Sequence, residues 1–297
     1  MNLIALAFVM ISQSYLRQRL LSGAKSYGPM LMSDSPIVAE LMAGMGYGHI
    51  LVDHEHSVTD VRSGQAMLQG IAAAHSFAEP IVRLPSANDS VYMKKVLDTL
   101  TLPAGVLVPM VNDAATAEAV VQATRYPNQQ GISSCVRGGI RGCAAPMVRA
   151  SQWGIRKDYV ADTERDLLVM VQVETPEGVQ AIPDIAAVAG IDGIFLGPYD
   201  LSSSIGKMGQ FDDPEVRTLI TRAERAVLDS NCFLAGFRPP GRDLYEMFHI
   251  TGYSLICGSV DMALLSAAAK ADAYAGNYAI KIDPNSTTEG VTNYPRF

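Results

Sequence analysis

Two carboxylates stand where apolar runs of the sequence end. Glu174 closes the run Leu168–Val173, and Asp200 follows the run Gly193–Leu196 within the segment GPYDL. Parallel α/β proteins place their chemistry at strand ends, and oxygen donors suit hard cations such as Mg²⁺ or Mn²⁺, with Co²⁺ or Zn²⁺ as further candidates. Each acid alone could equally be a helix cap or first-turn residue. Together, Glu174 and Asp200 predict a divalent-metal site.

A second polar group follows two earlier apolar runs and is expected on the same rim. The segment Asp53-His54-Glu55-His56 comes after one run, and Arg83 lies within the next. Asp53 is close enough along the chain to fix the tautomer of His56, which would prepare a general base. Arg83 would bind a carboxylate or a developing enolate, or else form a salt bridge with Glu55. His54 is expected to be exposed.

Short β-favouring runs alternate with longer helical patterns along the chain, which is typical of an α/β protein. Several runs are apolar throughout, as in strands that are covered on both faces. Eight such units favour a closed (β/α)8 TIM barrel over an open sheet. We expect a single barrel domain over residues 25–276, an N-terminal extension over 1–24 and a C-terminal tail over 277–297. The predicted strands are 28–32, 49–52, 80–84, 105–109, 168–173, 193–196, 232–235 and 254–257.

Composition narrows the class of protein further. Of 297 residues, 48% are hydrophobic and 18% charged, and the net charge of −7 argues against nucleic-acid or anionic-membrane partners. No nucleotide-binding glycine motif and no C-x-x-C pair occur, so a reduced, cytoplasmic protein is expected. The apolar run Leu3–Ile11 is too short to span a bilayer. It is open whether that run is a packed helix, a poorly ordered extension or a degenerate targeting segment.

Five motifs give the chain a resemblance to a known family. Over about residues 22–274, it resembles the HpcH/HpaI aldolases, metal-dependent enzymes that act on 4-hydroxy-2-oxo acids. The motifs are LVDHEHS (51–57), ATRYP (123–127), VQVETPEGV (171–179), GIDGIFLGPYDLSSSIG (190–206) and GSVDMALL (258–265). Matches of this length are far more specific than a lone glycine pattern.

The resemblance implies roles for the residues that would bind metal and substrate. Glu174 and Asp200 correspond to the family's two metal-ligand carboxylates. Gln172 corresponds to a glutamine near the bound keto acid. The backbone amides of Tyr199 and Asp200 correspond to the groups that hold the pyruvate carboxylate.

The resemblance also implies the acid–base residues and the assembly. His56 with Asp53 corresponds to the acid–base dyad, and Arg83 to the arginine that steadies the keto or enolate oxygen. Family members form hexamers of dimers that exchange the last barrel helix, here expected at residues 261–274. The chain departs from the family pattern by an insertion at residues 128–139, near the expected site mouth.

The leading hypothesis is reversible cleavage of a 4-hydroxy-2-oxo acid to pyruvate and an aldehyde by a divalent-metal-dependent aldolase. A Schiff-base route is disfavoured because the lysines all fall in predicted loops or helices. An oxaloacetate decarboxylase or a CoA-thioester lyase would use the same metal site. A non-catalytic barrel that binds metal and keto acid is a third alternative.

Overall fold

The chain folds into a closed barrel of eight parallel strands. The structure is a computed structural model, and it describes residues 15–127 and 138–281. The strands are β1 (Ser26–Leu31), β2 (His49–Asp53), β3 (Glu79–Arg83), β4 (Ala104–Val108), β5 (Leu167–Val173), β6 (Gly193–Leu196), β7 (Phe233–Phe237) and β8 (Leu255–Val260). Each pairs with the next in sequence, and β8 pairs with β1. The predicted TIM barrel is therefore confirmed, and each predicted strand is found within a few residues of its expected ends.

The alternation of side chains along each strand decides what faces the inside of the barrel. Leu51 on β2 and Ile81 on β3 belong to the apolar cluster that fills the interior. Two residues further along these strands, Asp53 and Arg83 point to the same side. Gln172 has the corresponding position at the end of β5. The strand period thus places a polar layer directly above the apolar interior.

The helices cover the outside of the barrel, and side-chain caps fix where most of them begin. Ser35, Asp60, Asp89, Asp113 and Asp213 each accept a backbone N–H of the first turn, as does Thr175. These caps set the loops that follow the strands. In the described residues, the helices are α1 (Leu16–Leu21), α2 (Pro36–Ala43), α3 (Val61–Ala73), α4 (Ser90–Thr99), α5 (Ala114–Thr124), α6 (Tyr159–Asp166), α7 (Pro176–Ala186), α8 (Pro198–Ser204), α9 (Pro214–Leu228) and α10 (Asp261–Lys281).

Helix α1 closes the amino-terminal end of the barrel, although these residues were expected to form an extension. Leu16 and Leu20 are buried in the interior cluster. Arg17 forms two hydrogen bonds, of 2.9 and 2.8 Å, with the carboxylate of Asp192. The Leu16 N–H donates to Glu79 Oε1 at 2.7 Å. Residues 16–21 therefore complete the barrel core.

Glu79 gives this end of the barrel a pH-dependent stability. Burial raises its pKa from 4.5 to about 7, against the opposing effects of the Leu16 N–H and Arg19. The folded state then binds more protons than the unfolded chain, so the free energy of unfolding falls as pH rises from about 4.5 to about 7. We expect Glu79→Gln to unfold at a higher temperature than the wild type at pH 8 but not at pH 4, because the neutral amide still accepts the Leu16 N–H.

Calorimetric unfolding at both pH values checks this expectation. The matched control is Glu40→Gln, which changes an exposed carboxylate on α2 and should leave the pH dependence intact. An equal shift for Glu79→Gln at both pH values would show that ionisation of Glu79 does not matter.

The carboxyl-terminal helix α10 is longer than expected and largely exposed. It extends to Lys281 rather than to residue 274, into the segment predicted as a tail. Residues 1–14, 128–137 and 282–297 lie outside the described part, and with them the run Leu3–Ile11 and nearly all of the insertion. None of the helices in the described part combines the length and apolar character needed to cross a bilayer. The cytoplasmic location stays a prediction.

Candidate active site

Glu174 and Asp200 lie together at the carboxyl-terminal mouth of the barrel. Glu174 directly follows β5, and Asp200 lies in the first turn of α8, which follows the neighbouring strand β6. Their carboxyl groups are within hydrogen-bonding distance of each other. The two acids that are far apart in the sequence are therefore close enough to bind one cation.

Two neighbouring groups hold the Glu174 carboxylate in place. The Met110 N–H donates to Oε1 at 2.9 Å, and Gln172 Nε2 donates to Oε2 at 2.6 Å. Met110 has a φ of 54°, in the left-handed region that residues other than glycine rarely adopt. Such strain is found where surrounding structure demands it, often at functional sites. Nothing in the residue types of this loop signals the contact, and sequence reasoning missed it.

The pKa of Glu174 is strongly raised. Its side chain is buried, and burial, the hydrogen bond with Asp200 and the negative charges of Asp200 and Glu55 together raise the pKa to about 8, while the Met110 N–H acts in the opposite sense. A bound cation would offset this repulsion between acids. The electrostatics of the site therefore favour a positive ligand.

Gly197, the residue between β6 and α8, packs directly against the side chains of Glu174 and Gln172. A Cβ atom at this position would lie 2.8 Å from Glu174 Oε2 and 2.9 Å from Gln172 Nε2. Contacts that short would push the carboxylate out of position. A side chain at position 197 would therefore displace Glu174 and Gln172, which explains the glycine in the GPYDL segment.

The amino-terminal end of α8 presents backbone donors next to Asp200. Gly197 is the N-cap and makes no side-chain cap, and the first intrahelical bond runs from the Leu201 N–H to the Gly197 carbonyl. The N–H groups of Tyr199 and Asp200 therefore have no carbonyl partner within the helix. They could donate to an anion at the mouth of the barrel.

Arg83 and Asp53 form a buried ion pair across β2 and β3. Arg83 Nε and Nη2 donate to the two oxygens of Asp53 at 2.8 and 2.9 Å, and Nη1 lies 3.1 Å from Glu55 Oε2. Asp53 also accepts the backbone N–H groups of Glu55 and His56. Arg83 thus forms an ion pair with Glu55, and Asp53 accepts hydrogen bonds from two of its five N–H groups. The other three could donate to a substrate oxygen.

The two histidines of this loop differ from expectation. The His56 ring, 63% exposed, has its Nε2 3.9 Å from Glu55 Oε2, whereas Asp53 contacts His56 only through the backbone. The expectation that Asp53 fixes the His56 tautomer is corrected accordingly, because Arg83 and two amides occupy its oxygens. His54, expected to be exposed, is buried and lies 2.9 Å from the Tyr92 hydroxyl.

A cavity of about 520 Å³ opens above this site. Four of the predicted residues line it, while Gln172 and Glu174 are buried nearby. The four are His56, Arg83, Tyr199 and Asp200. Arg238 also lines the cavity, and sequence reasoning passed over it although it directly follows β7. The same strand-end rule that indicated Asp200 could have found it.

Comparison with known proteins agrees with this architecture. The sequence model of the HpcH/HpaI aldolase/citrate lyase family matches residues 27–235. The chain belongs to this family. A 4-hydroxy-2-oxo-heptane-1,7-dioate aldolase of Escherichia coli is 36% identical over 250 residues, which are 84% of this chain and 90% of that protein. A hydroxypyruvate/pyruvate aldolase of Deinococcus radiodurans is 36% identical over 256 residues, 86% of each chain.

A solved structure supports the same assignment. The HpcH/HpaI aldolase/citrate lyase family protein of Burkholderia cenocepacia J2315 superposes with a TM-score of 0.80 at 32% identity, covering 88% of this chain and 98% of that one. The HpcH/HpaI family consists of lyases and aldolases, so the chain is placed among enzymes. Within the described residues, no group of three or more His, Cys, Asp and Glu side chains forms a metal site.

Proposed function

We propose that the protein is a divalent-metal-dependent aldolase that reversibly cleaves a 4-hydroxy-2-oxo acid to pyruvate and an aldehyde. The observation that carries the proposal is the close approach of the buried Glu174 carboxyl group to the carboxyl group of Asp200, beside Arg83 at the mouth of a cavity. The two curated relatives named above are aldolases of a 4-hydroxy-2-oxo acid and of pyruvate. A 2-oxo acid is thus the substrate class that fits both the relatives and the site.

The residues present fit a divalent cation. Glu174 and Asp200 supply carboxylate oxygens. Burial, together with the hydrogen bond and the negative charge of Asp200, raises the pKa of Glu174, and a bound cation would stabilise its ionised form. Mg²⁺ and Mn²⁺ suit such donors and accept further oxygens from water or a chelating substrate. When bound, the cation would act as a Lewis acid that stabilises negative charge on the keto oxygen.

The protein groups around the cavity supply binding and orientation. The N–H groups of Tyr199 and Asp200 would donate hydrogen bonds to the carboxylate of the oxo acid at the start of α8. The amide of Gln172, which already bonds to Glu174, would lie next to the same substrate. Arg83 would donate to the keto oxygen with the N–H bonds that Asp53 and Glu55 leave available.

The His56 ring would move the proton. As the C3–C4 bond breaks, His56 accepts the proton of the C4 hydroxyl, C4 becomes the aldehyde carbon, and the electron pair passes to C3. A proton added at C3 then yields pyruvate. Asp53 contacts His56 only through the backbone N–H and binds the Arg83 guanidinium, so we assign Asp53 to positioning Arg83 and the loop.

Chelation distinguishes this mechanism from a Schiff base. EDTA is expected to abolish pyruvate release from 4-hydroxy-2-oxopentanoate, and Mn²⁺ or Mg²⁺ should restore it. Borohydride added with pyruvate should leave the protein active, because no lysine lies on a strand of the described barrel. Inactivation by borohydride together with full activity in EDTA would refute the proposal. Oxaloacetate, assayed in parallel, tests the decarboxylase alternative.

We further propose that the chain forms a homo-oligomer, with dimer-based hexamers as the expected assembly. Helix α10 leaves large apolar side chains in solvent, among them Met262, Leu265 and Tyr274. Exposed apolar patches of this kind mark association surfaces. The exchange of the last barrel helix between copies, which the family resemblance implies, would cover them.

A further inference from the structure

Arg238 follows the end of β7 and lines the cavity above the proposed metal site. It directly follows Phe237, the last residue of β7, and its backbone N–H donates to the Cys257 carbonyl of β8 at 2.9 Å. It lines the same cavity as Arg83 and Asp200. Its backbone is thus fixed by the barrel itself.

A backbone carbonyl holds the guanidinium of Arg238 on its Nε side. Its Nε donates to the Arg242 carbonyl at 2.7 Å. Arg242 is in turn fixed, since its N–H donates to the Pro239 carbonyl at 3.2 Å and its guanidinium binds Glu224 and the Thr251 hydroxyl. A turn at residues 239–242 therefore orients the side chain of Arg238 before any ligand arrives.

The terminal nitrogens of the Arg238 guanidinium have no partner among the described residues. Within residues 15–127 and 138–278, the terminal nitrogens Nη1 and Nη2 of Arg238 make no hydrogen bond and no ion pair. Arg83, in contrast, is engaged by Asp53 and Glu55. An oriented guanidinium with both terminal nitrogens available matches the two oxygens of a carboxylate or phosphate.

We propose that Arg238 binds a terminal anionic group on the aldehyde half of the substrate and so selects acidic aldehydes. The inference rests on the proposed function, which places the 2-oxo acid half at Glu174 and Asp200. A cavity of about 520 Å³ has room for more than a pyruvate unit. Much of its remaining wall is apolar, with Met30, Met32 and Val260, so a charged group there would find its counter-charge at Arg238.

The kinetic test compares aldol addition of pyruvate to matched aldehydes with the Mn²⁺-loaded enzyme. Butanal and 4-oxobutanoate have the same chain length, and glyceraldehyde is paired with glyceraldehyde 3-phosphate. Arg238→Ala should lower kcat/KM for one anionic aldehyde by about 10- to 100-fold, mainly through KM, and change the neutral partner by no more than about twofold. A loss with 4-oxobutanoate would indicate that Arg238 binds a carboxylate, and a loss with glyceraldehyde 3-phosphate that it binds a phosphate. Arg238→Lys should restore part of the lost kcat/KM.

Arg222→Ala is the matched control, because Arg222 is an exposed arginine on α9 outside the cavity. It should leave the rates for both members of each pair unchanged. Equal losses for neutral and anionic aldehydes in Arg238→Ala, or no loss for either, would overturn the proposal.

A binding measurement separates this inference from the aldolase proposal. 2-Oxohexanedioate and 2-oxohexanoate differ only in the distal carboxylate, and neither has the C4 hydroxyl needed for cleavage. In calorimetric titrations with Mn²⁺, the wild type should bind the dioate about 10-fold more tightly, and Arg238→Ala should bring the ratio near one. That result without aldol turnover would refute the aldolase and keep the anion site. The opposite result would refute the anion site and leave the aldolase proposal intact. In that case Arg238→Ala would still turn over butanal, would keep the wild-type ratio of affinities for the dioate and the monoate, and would lose no more activity with either anionic aldehyde than with its neutral partner.

Discussion

Replacing Glu174 by Gln is expected to lower kcat/KM for cleavage of a 4-hydroxy-2-oxo acid by about 10³-fold, as the loss of several kcal/mol of Lewis-acid stabilisation would. The amide has the same shape and can still accept the Met110 N–H, but it lacks the charge that binds a cation. Steady-state kinetics measure the loss of kcat/KM. Titration with Mn²⁺, monitored by electron paramagnetic resonance, measures the loss of metal affinity. The metal-free variant should unfold at a temperature equal to or above that of the wild type, because a neutral amide avoids the cost of burying a charge and the repulsion from Asp200.

Glu177→Gln is the control within the same motif. Glu177 is an exposed carboxylate in the first turn of α7, three residues beyond Glu174. Its loss should change kcat/KM by no more than about twofold, with a small loss of stability from the helix dipole of about 0.5 kcal/mol. An active Glu174→Gln enzyme with normal Mn²⁺ affinity would remove the basis of the proposed mechanism.

The barrel could be predicted because its signals are local and repeated. Each strand is an apolar run, and the residue that follows it is forced to the mouth of the barrel by the direction of the strand. This reasoning alone brought Glu174 and Asp200 together. The pairing of β5 with β6 supplies the rest, since adjacent parallel strands end side by side.

The details of the site depend on contacts that no single stretch of sequence contains. Met110 reaches Glu174 only because the loop after β4 adopts a left-handed backbone at a residue that is not glycine. Asp53 engages Arg83 rather than the His56 ring because β2 and β3 are in register at these two residues. His54 is buried because Gly64 on α3 leaves space against its ring. These are tertiary effects that override local expectation.

The amino-terminal end of the barrel is another feature that the sequence alone does not predict. The segment containing Leu16 and Leu20 is too short to carry a clear helical pattern, and it was read as part of an extension. Its role follows from the interior cluster that it covers, whose members come from several strands. Composition alone does not indicate which short apolar segment will close a barrel.

Arg83 is expected to contribute both to stability and to activity, and two substitutions measure these contributions separately. Arg83→Ala leaves the fully buried carboxylate of Asp53 without its cation, which is expected to destabilise the fold by about 3–5 kcal/mol. Arg83→Lys keeps a positive charge and should remain folded. It cannot form the paired hydrogen bonds to Asp53, so the donors available to the keto oxygen are lost or displaced.

For Arg83→Lys we expect kcat to fall by about 10²-fold, the size of effect seen when one donor to a developing oxyanion is removed, with little change in Mn²⁺ affinity. Arg62→Lys, at an exposed position of α3, is the control and should behave as the wild type. The bound cation and Arg83 would both stabilise charge on the keto oxygen of the substrate. A fall in kcat can therefore be assigned to Arg83 only if the variant still binds the metal. Mn²⁺ affinity is therefore measured on the same samples as kcat. A folded Arg83→Lys enzyme with wild-type kcat would show that Arg83 serves the ion pair with Asp53 and Glu55 and not the reaction.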